Sequence, residues 1–79
     1  MIDETYQGVH MIENPERQHG DARCLECYVR VPDGRLLNVW LYVTPELLAD
    51  PAWREHVLRV VHETAEWKVA HPEGDGEGS

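Results

Sequence analysis

Two short stretches of this chain carry residue types that could do chemistry, Cys24-Leu25-Glu26-Cys27 and His62-Glu63-Thr64-Ala65-Glu66. The first has the C-x-x-C spacing of metal knuckles and thioredoxin-like redox sites. Both uses need the sulfurs to converge, and a redox pair prefers a helix N-terminus, where the thiolate is stabilised. Here the pair falls in a stretch that alternates as a strand, so residues three apart point to opposite faces. No second C-x-x-C is present to complete a four-ligand site. The sequence predicts two reduced thiols, with Cys27 filling the core and Cys24 half-exposed beside it.

The second stretch matches the first half of the H-E-x-x-H zinc motif, but Glu66 stands where the second histidine should be. His62 and Glu66 could share a metal with His10 or His19, yet nothing in the spacing brings these together. The simpler reading is a solvated helix face with i, i+4 pairs Glu55 to Arg59, Arg59 to Glu63 and His62 to Glu66, each contributing about 0.2–0.5 kcal/mol. Nucleophilic catalysis needs an oriented base beside a nucleophile, and the only serine is Ser79 at the C-terminal end. The glycines lie at turns and in the last residues, not in a phosphate-binding loop. The expectation is a protein that is not an enzyme and uses no cofactor or metal.

What remains loud is charge. Fifteen acidic residues against seven basic ones give a formal charge of −8 over 79 residues. The acids crowd the flanks, since Asp21 to Thr44 balances three acids with three arginines. Such a field disfavours DNA and anionic membranes as partners but draws a basic protein surface quickly at low salt. A chain this short buries only about 60% of the surface its unfolded form exposes, so one small domain of modest stability is expected. No apolar run approaches the roughly 18–20 residues that cross a bilayer, and residues 1–20 lack the pattern of a signal peptide. A soluble, cytoplasmic protein is the expectation.

The elements that must position these residues begin with a hairpin, Ala22 to Val31 and Arg35 to Thr44, joined by Pro32-Asp33-Gly34. Leu25, Cys27, Val29 and Val31 share one face with Leu37, Val39, Leu41 and Val43. Cys24, Glu26, Tyr28 and Arg30 share the other with Leu36, Asn38, Trp40 and Tyr42. Thr44-Pro45 and Asp50-Pro51 each place a capping side chain before a proline, which predicts a short helix from Pro45 to Ala49 and a long one from Pro51 to about Ala70. Trp53, Val57, Val60, Val61, Thr64 and Trp67 or Lys68 form the stripe that packs on the aliphatic hairpin face. Thr5 to Ile12 supplies a third antiparallel strand, followed by a turn at Glu13-Asn14-Pro15-Glu16. The predicted class is α+β: a small antiparallel sheet packed on one long C-terminal helix, as a single domain over residues 1–71 with a disordered acidic, Gly-rich tail at 72–79.

A sheet covered by one helix has one face to spare, and here that face carries Tyr28, Trp40 and Tyr42. Aromatic residues and arginine dominate binding hot spots because they offer large rigid contact area with a polar handle. Either the face is open and serves a partner or a second copy, or the N-terminal segment folds over it with Val9, Met11 and Ile12. The acids Glu46, Asp50, Glu55, Glu63 and Glu66 add negative potential from the helices, and the first three also favour the helix dipoles.

A small acidic hairpin-and-helix domain of this plan, from Ala22 to Ala70 with acids on both flanks, resembles the compact anti-CRISPR proteins of phages and mobile elements, in particular inhibitors of type I-C surveillance complexes. The resemblance implies an inhibitor that binds a Cas subunit and keeps target DNA from a basic channel. It carries no motif positions with it. The partner-binding residues expected from charge and face are Glu26, Tyr28, Trp40, Tyr42, Glu46, Asp50, Glu55, Glu63 and Glu66, presented by a monomer. The alternative is a bacterial interaction module or homodimer using the aromatic face.

Overall fold

The computed structural model describes residues 1–71; the expected tail at 72–79 lies outside the described residues. The chain runs β1 (Asp3–Tyr6), β2 (Val9–His19), β3 (Ala22–Arg30), β4 (Leu36–Val43), α1 (Pro45–Leu48) and α2 (Trp53–Ala70). The strands form one antiparallel sheet in the order β1-β2-β3-β4, with α2 packed on one face, so the α+β class holds.

The β3–β4 hairpin forms as the sequence predicts, one residue shorter at each strand's turn end and at the end of β4. Gly34 takes φ 96°, and its N–H donates to the Val31 carbonyl at 2.9 Å. The N-terminal expectation needs correction. Thr5 to Ile12 is not one strand but the end of β1, a tight turn and the start of β2. Gln7 and Gly8 both adopt positive φ, 49° and 84°, the signature of a two-residue turn whose twist matches the flanking strands. Glu13 to Glu16 is likewise strand and not turn, because β2 continues to His19. Pro15 is tolerated there because the β2–β3 register shifts between Asn14 and His19, where no ladder hydrogen bond is asked of it.

The core lies between the sheet and α2. Val9 and Met11 of β2, Leu25, Cys27 and Val29 of β3, Val31, and Val39 and Val43 of β4 meet Trp53, Val57, Val61 and Ala65 of α2. The helical stripe is therefore a four-residue repeat, narrower than expected. Val60 and Trp67 are 43% and 50% exposed, and Thr64 stands at the rim. Only positions four apart stay near one line on a helix lying across a small sheet, so Ala65 takes the place expected of Thr64. Of the four residues read as structural on this helix, Trp53, Val57 and Val61 are buried and Val60 is not.

Thr44 caps α1 as predicted, its hydroxyl accepting from the Leu47 N–H at 3.2 Å with Pro45 in the first turn. Thr44→Ala is expected to lower stability by about 0.5–2 kcal/mol in a urea titration, and Thr44→Ser to restore most of it. Asp50 does not cap α2. Its carboxylate instead accepts from the Ala52 N–H at 2.9 Å, which turns Pro51 and Ala52 out of the helix so that α2 starts at Trp53. Two ties fasten β1 to the start of α2. Arg54 donates to both oxygens of Glu4, at 2.6 and 3.1 Å, and the Tyr6 hydroxyl donates to Glu55. Hydrogen bonding from Arg54 holds the Glu4 carboxyl below the usual carboxylate range.

Candidate functional site

Among the described residues no helix packs on the face of the sheet away from α2. The side chains of this face form cross-strand rows that the register defines: His10, Tyr28 and Asn38; Ile12, Glu26 and Trp40; Asn14, Cys24 and Tyr42. Directly opposed residues stand about 4.5–5.5 Å apart at Cβ, so each row is one contact surface. Trp40 and Tyr42 are 51% and 55% exposed, whereas Tyr28 is half-buried. Val9 and Met11 do not fold over this face, because the alternation of β2 turns them into the helix-side core; only Ile12 stands on the aromatic side.

Glu26 sits at the centre of the patch. Its Oε2 accepts from the Asn14 amide at 2.6 Å and its Oε1 from the Tyr28 hydroxyl at 3.3 Å, so the half-buried carboxylate is held in place by two neighbours on its own face. The far half of β2 leans onto the same face. The Arg17 guanidinium lies 3.9 Å from the centroid of the Trp40 ring, and the His19 ring lies 5.9 Å from Tyr42. Asn14, Arg17, His10 and His19 are the site residues that sequence reasoning missed. Strand alternation within the expected Thr5 to Ile12 strand already pairs His10 with the face of Ile12, and it would have found Asn14 had β2 been carried through Pro15.

The acids expected to act with this patch are divided between two sides. Glu26 alone is on the aromatic face. Glu46 is exposed in the first turn of α1, and Asp50 lies beside the α1–α2 connection, 3.6 Å from His56. Glu55 is tied to Tyr6. Glu63 and Glu66 are exposed on α2, across the sheet from Trp40. The expected helix-face pairs also regroup, since Arg59 contacts His56 at 2.8 Å and, among the described residues, no ion pair joins it to Glu55 or Glu63. The molecule is only 16 Å through its thinnest dimension, so charge on α2 still contributes to the field at the aromatic face when the Debye length is about 10 Å or more.

Cys24 and Cys27 are free thiols on opposite faces, as the alternation of β3 requires. Cys24 is buried and not half-exposed, because it stands in the middle of a row between Asn14 and Tyr42. Burial pushes the Cys24 thiol up, and pushes Cys27 up to about 12. An unfolded thiol ionises near pH 8.5, so between about pH 9 and the folded value the unfolded state holds fewer protons and stability falls as pH rises. A Cys27→Val variant is expected to flatten that alkaline loss in denaturant titrations. In the native protein neither thiol is expected to react with a thiol reagent at neutral pH, and both should react after unfolding.

His62 and Glu66 line a groove of about 440 Å³ between α2 and the β3–β4 turn, with Val31, Pro32 and Val69 among its walls. His10 and His19 are on the aromatic side of the sheet, so neither joins them. Among the described residues no three of His, Cys, Asp and Glu converge as metal ligands, and no helix is long and apolar enough to cross a membrane. No protein-family model, curated protein or solved structure matches the chain, so the site rests on its own geometry.

Proposed function

We propose that this protein is a non-enzymatic inhibitor that binds a basic, nucleic-acid-binding protein surface through its aromatic sheet face. The observation that carries the reading is Glu26, a half-buried carboxylate held by Asn14 and Tyr28 at the centre of an aromatic patch. A carboxylate beside indole and phenol rings is what a partner's arginine or lysine recognises, by charge-assisted hydrogen bonding and by cation–π contact. Arg17 already lies on Trp40, which supports the ring's fitness for a guanidinium. The acids of α2 and the net charge of −8 aim the molecule at a cationic target without touching it. A face-to-face homodimer would oppose two Glu26 carboxylates, and like charges so placed disfavour it.

The partner proposed is a DNA-binding subunit of a type I CRISPR–Cas surveillance complex, type I-C in the first instance, met in the bacterial cytoplasm. Purified type I-C complex should lose target-DNA binding when the protein is added in stoichiometric amount. Undiminished DNA binding at saturating protein would remove this partner. Steering makes a second prediction: the association rate should fall about tenfold or more as salt rises from low ionic strength toward 0.15 M, with dissociation changed far less. A flat salt response would leave the aromatic patch as binder and exclude electrostatic guidance.

A further inference from the structure

The two edges of the sheet are not alike. β1 is four residues long, carries Asp3 and Glu4, and is tied to α2 through Glu4 and Tyr6. Short length and charge are how proteins blunt an edge against further pairing. The other edge, β4, is eight residues of Leu-Leu-Asn-Val-Trp-Leu-Tyr-Val with no charge and no proline.

The register says which of its backbone groups are unpaired. The Val31 N–H donates to the Arg35 carbonyl at 2.9 Å, which makes that opposed pair a hydrogen-bonded one. Alternation then assigns Val29–Leu37, Cys27–Val39, Leu25–Leu41 and Arg23–Val43 to the same kind. Leu36, Asn38, Trp40 and Tyr42 therefore point their N–H and C=O groups away from β3, and among the described residues no hydrogen bond meets them.

We infer that β4 pairs with β4 of a second copy, antiparallel about a two-fold axis at Val39, to give a continuous eight-stranded sheet. That register sets Leu36 opposite Tyr42 of the copy and Asn38 opposite Trp40, so every outward group on both strands finds a partner. On the helix side it sets Leu37 against Leu41 and Val39 against Val39. Leu37 and Leu41 are half-buried and already pack on the core, so the pairing extends an aliphatic layer. The strand opposes no like charges to itself. Pairing β4 with β1 of a copy would be head-to-tail and would propagate, whereas β4 with β4 closes as a dimer. Both aromatic faces lie on one side of the joined sheet, and both Glu26 sites stay accessible.

Sedimentation equilibrium of the full chain over a wide concentration range tests this, together with amide exchange read by NMR. The expected result is a mass rising to twice that of the chain, with the Leu36, Asn38, Trp40 and Tyr42 amides gaining protection as concentration rises. Because both copies are acidic, self-association should strengthen with salt, opposite to the binding of a basic partner, so the two readings fail separately. Asn38→Pro, which an exposed edge tolerates, should weaken the dimer by about tenfold or more through the hydrogen bonds it removes from both copies. A single-chain mass at all concentrations with those four amides unprotected would overturn the inference. So would a dimer whose β4 amides exchange freely, a measurement on the unaltered chain that stands whether or not the proline variant folds.

Discussion

Leu25→Ala is expected to remove about 2–5 kcal/mol of stability, a large part of the roughly 4–12 kcal/mol that a domain of this size possesses. Leu25 is fully buried in β3, opposite Glu13 and Leu41 and within the layer that meets α2. Truncation removes its burial and leaves a cavity that a one-helix, one-sheet core has few neighbours to fill. Val60→Ala is the matched control. Its side chain points away from the sheet, so the change should stay within about 0.5 kcal/mol. Urea titrations of the two variants measure the contrast, and equal costs would mean that the core is not where the structure places it.

Trp40→Ala should have the reverse profile, lowering stability less than Leu25→Ala while weakening partner binding by about 30-fold or more, the scale of a hot-spot aromatic. The ring is half-exposed and outside the helix-side core; truncation loses its contact with Arg17, worth about 0.5–1 kcal/mol at an exposed site, and its packing beside Glu26 in the cross-strand row. The loss should appear in the dissociation rate, because Trp40 is a short-range contact and not part of the steering field. Glu26→Gln should weaken binding as well: its one amide oxygen still accepts from Asn14, and the NH2 that replaces the other oxygen donates to the Tyr28 hydroxyl, so both neighbours stay partnered while the charge is gone. Competition between each variant and target DNA for the surveillance complex reads both effects. Full inhibition by Trp40→Ala would mean that the aromatic face is not the binding surface.

The hairpin and the two faces of β3 and β4 were legible because period-two alternation and Pro-Asp-Gly turn chemistry are local signals, and the same holds for the Thr44 cap. The first turn was not, because Gln7-Gly8 is a weaker cue than Asn-Gly for the same pair of positive φ values. The continuation of β2 through Pro15 was hidden by a residue that ordinarily ends a strand and is accommodated here by a register shift. Asp50 carried a helix-start signal that a local turn diverted to Ala52.

The candidate site divides in the same way. Sequence by itself determined that Tyr28, Trp40, Tyr42 and Glu26 share a face, that Cys24 and Cys27 cannot share one, and that the chain is strongly acidic, because each follows from composition or from spacing along one element. Only the tertiary structure decided that α2 packs on the face opposite the aromatic one, that Glu26 is held at the centre of that aromatic face by Asn14 and Tyr28, that Glu63 and Glu66 stand on the other side of the sheet, and that β4 is an edge. These depend on which strand neighbours which and on the face chosen by α2, and such long-range pairings leave no periodicity in the segments that make them.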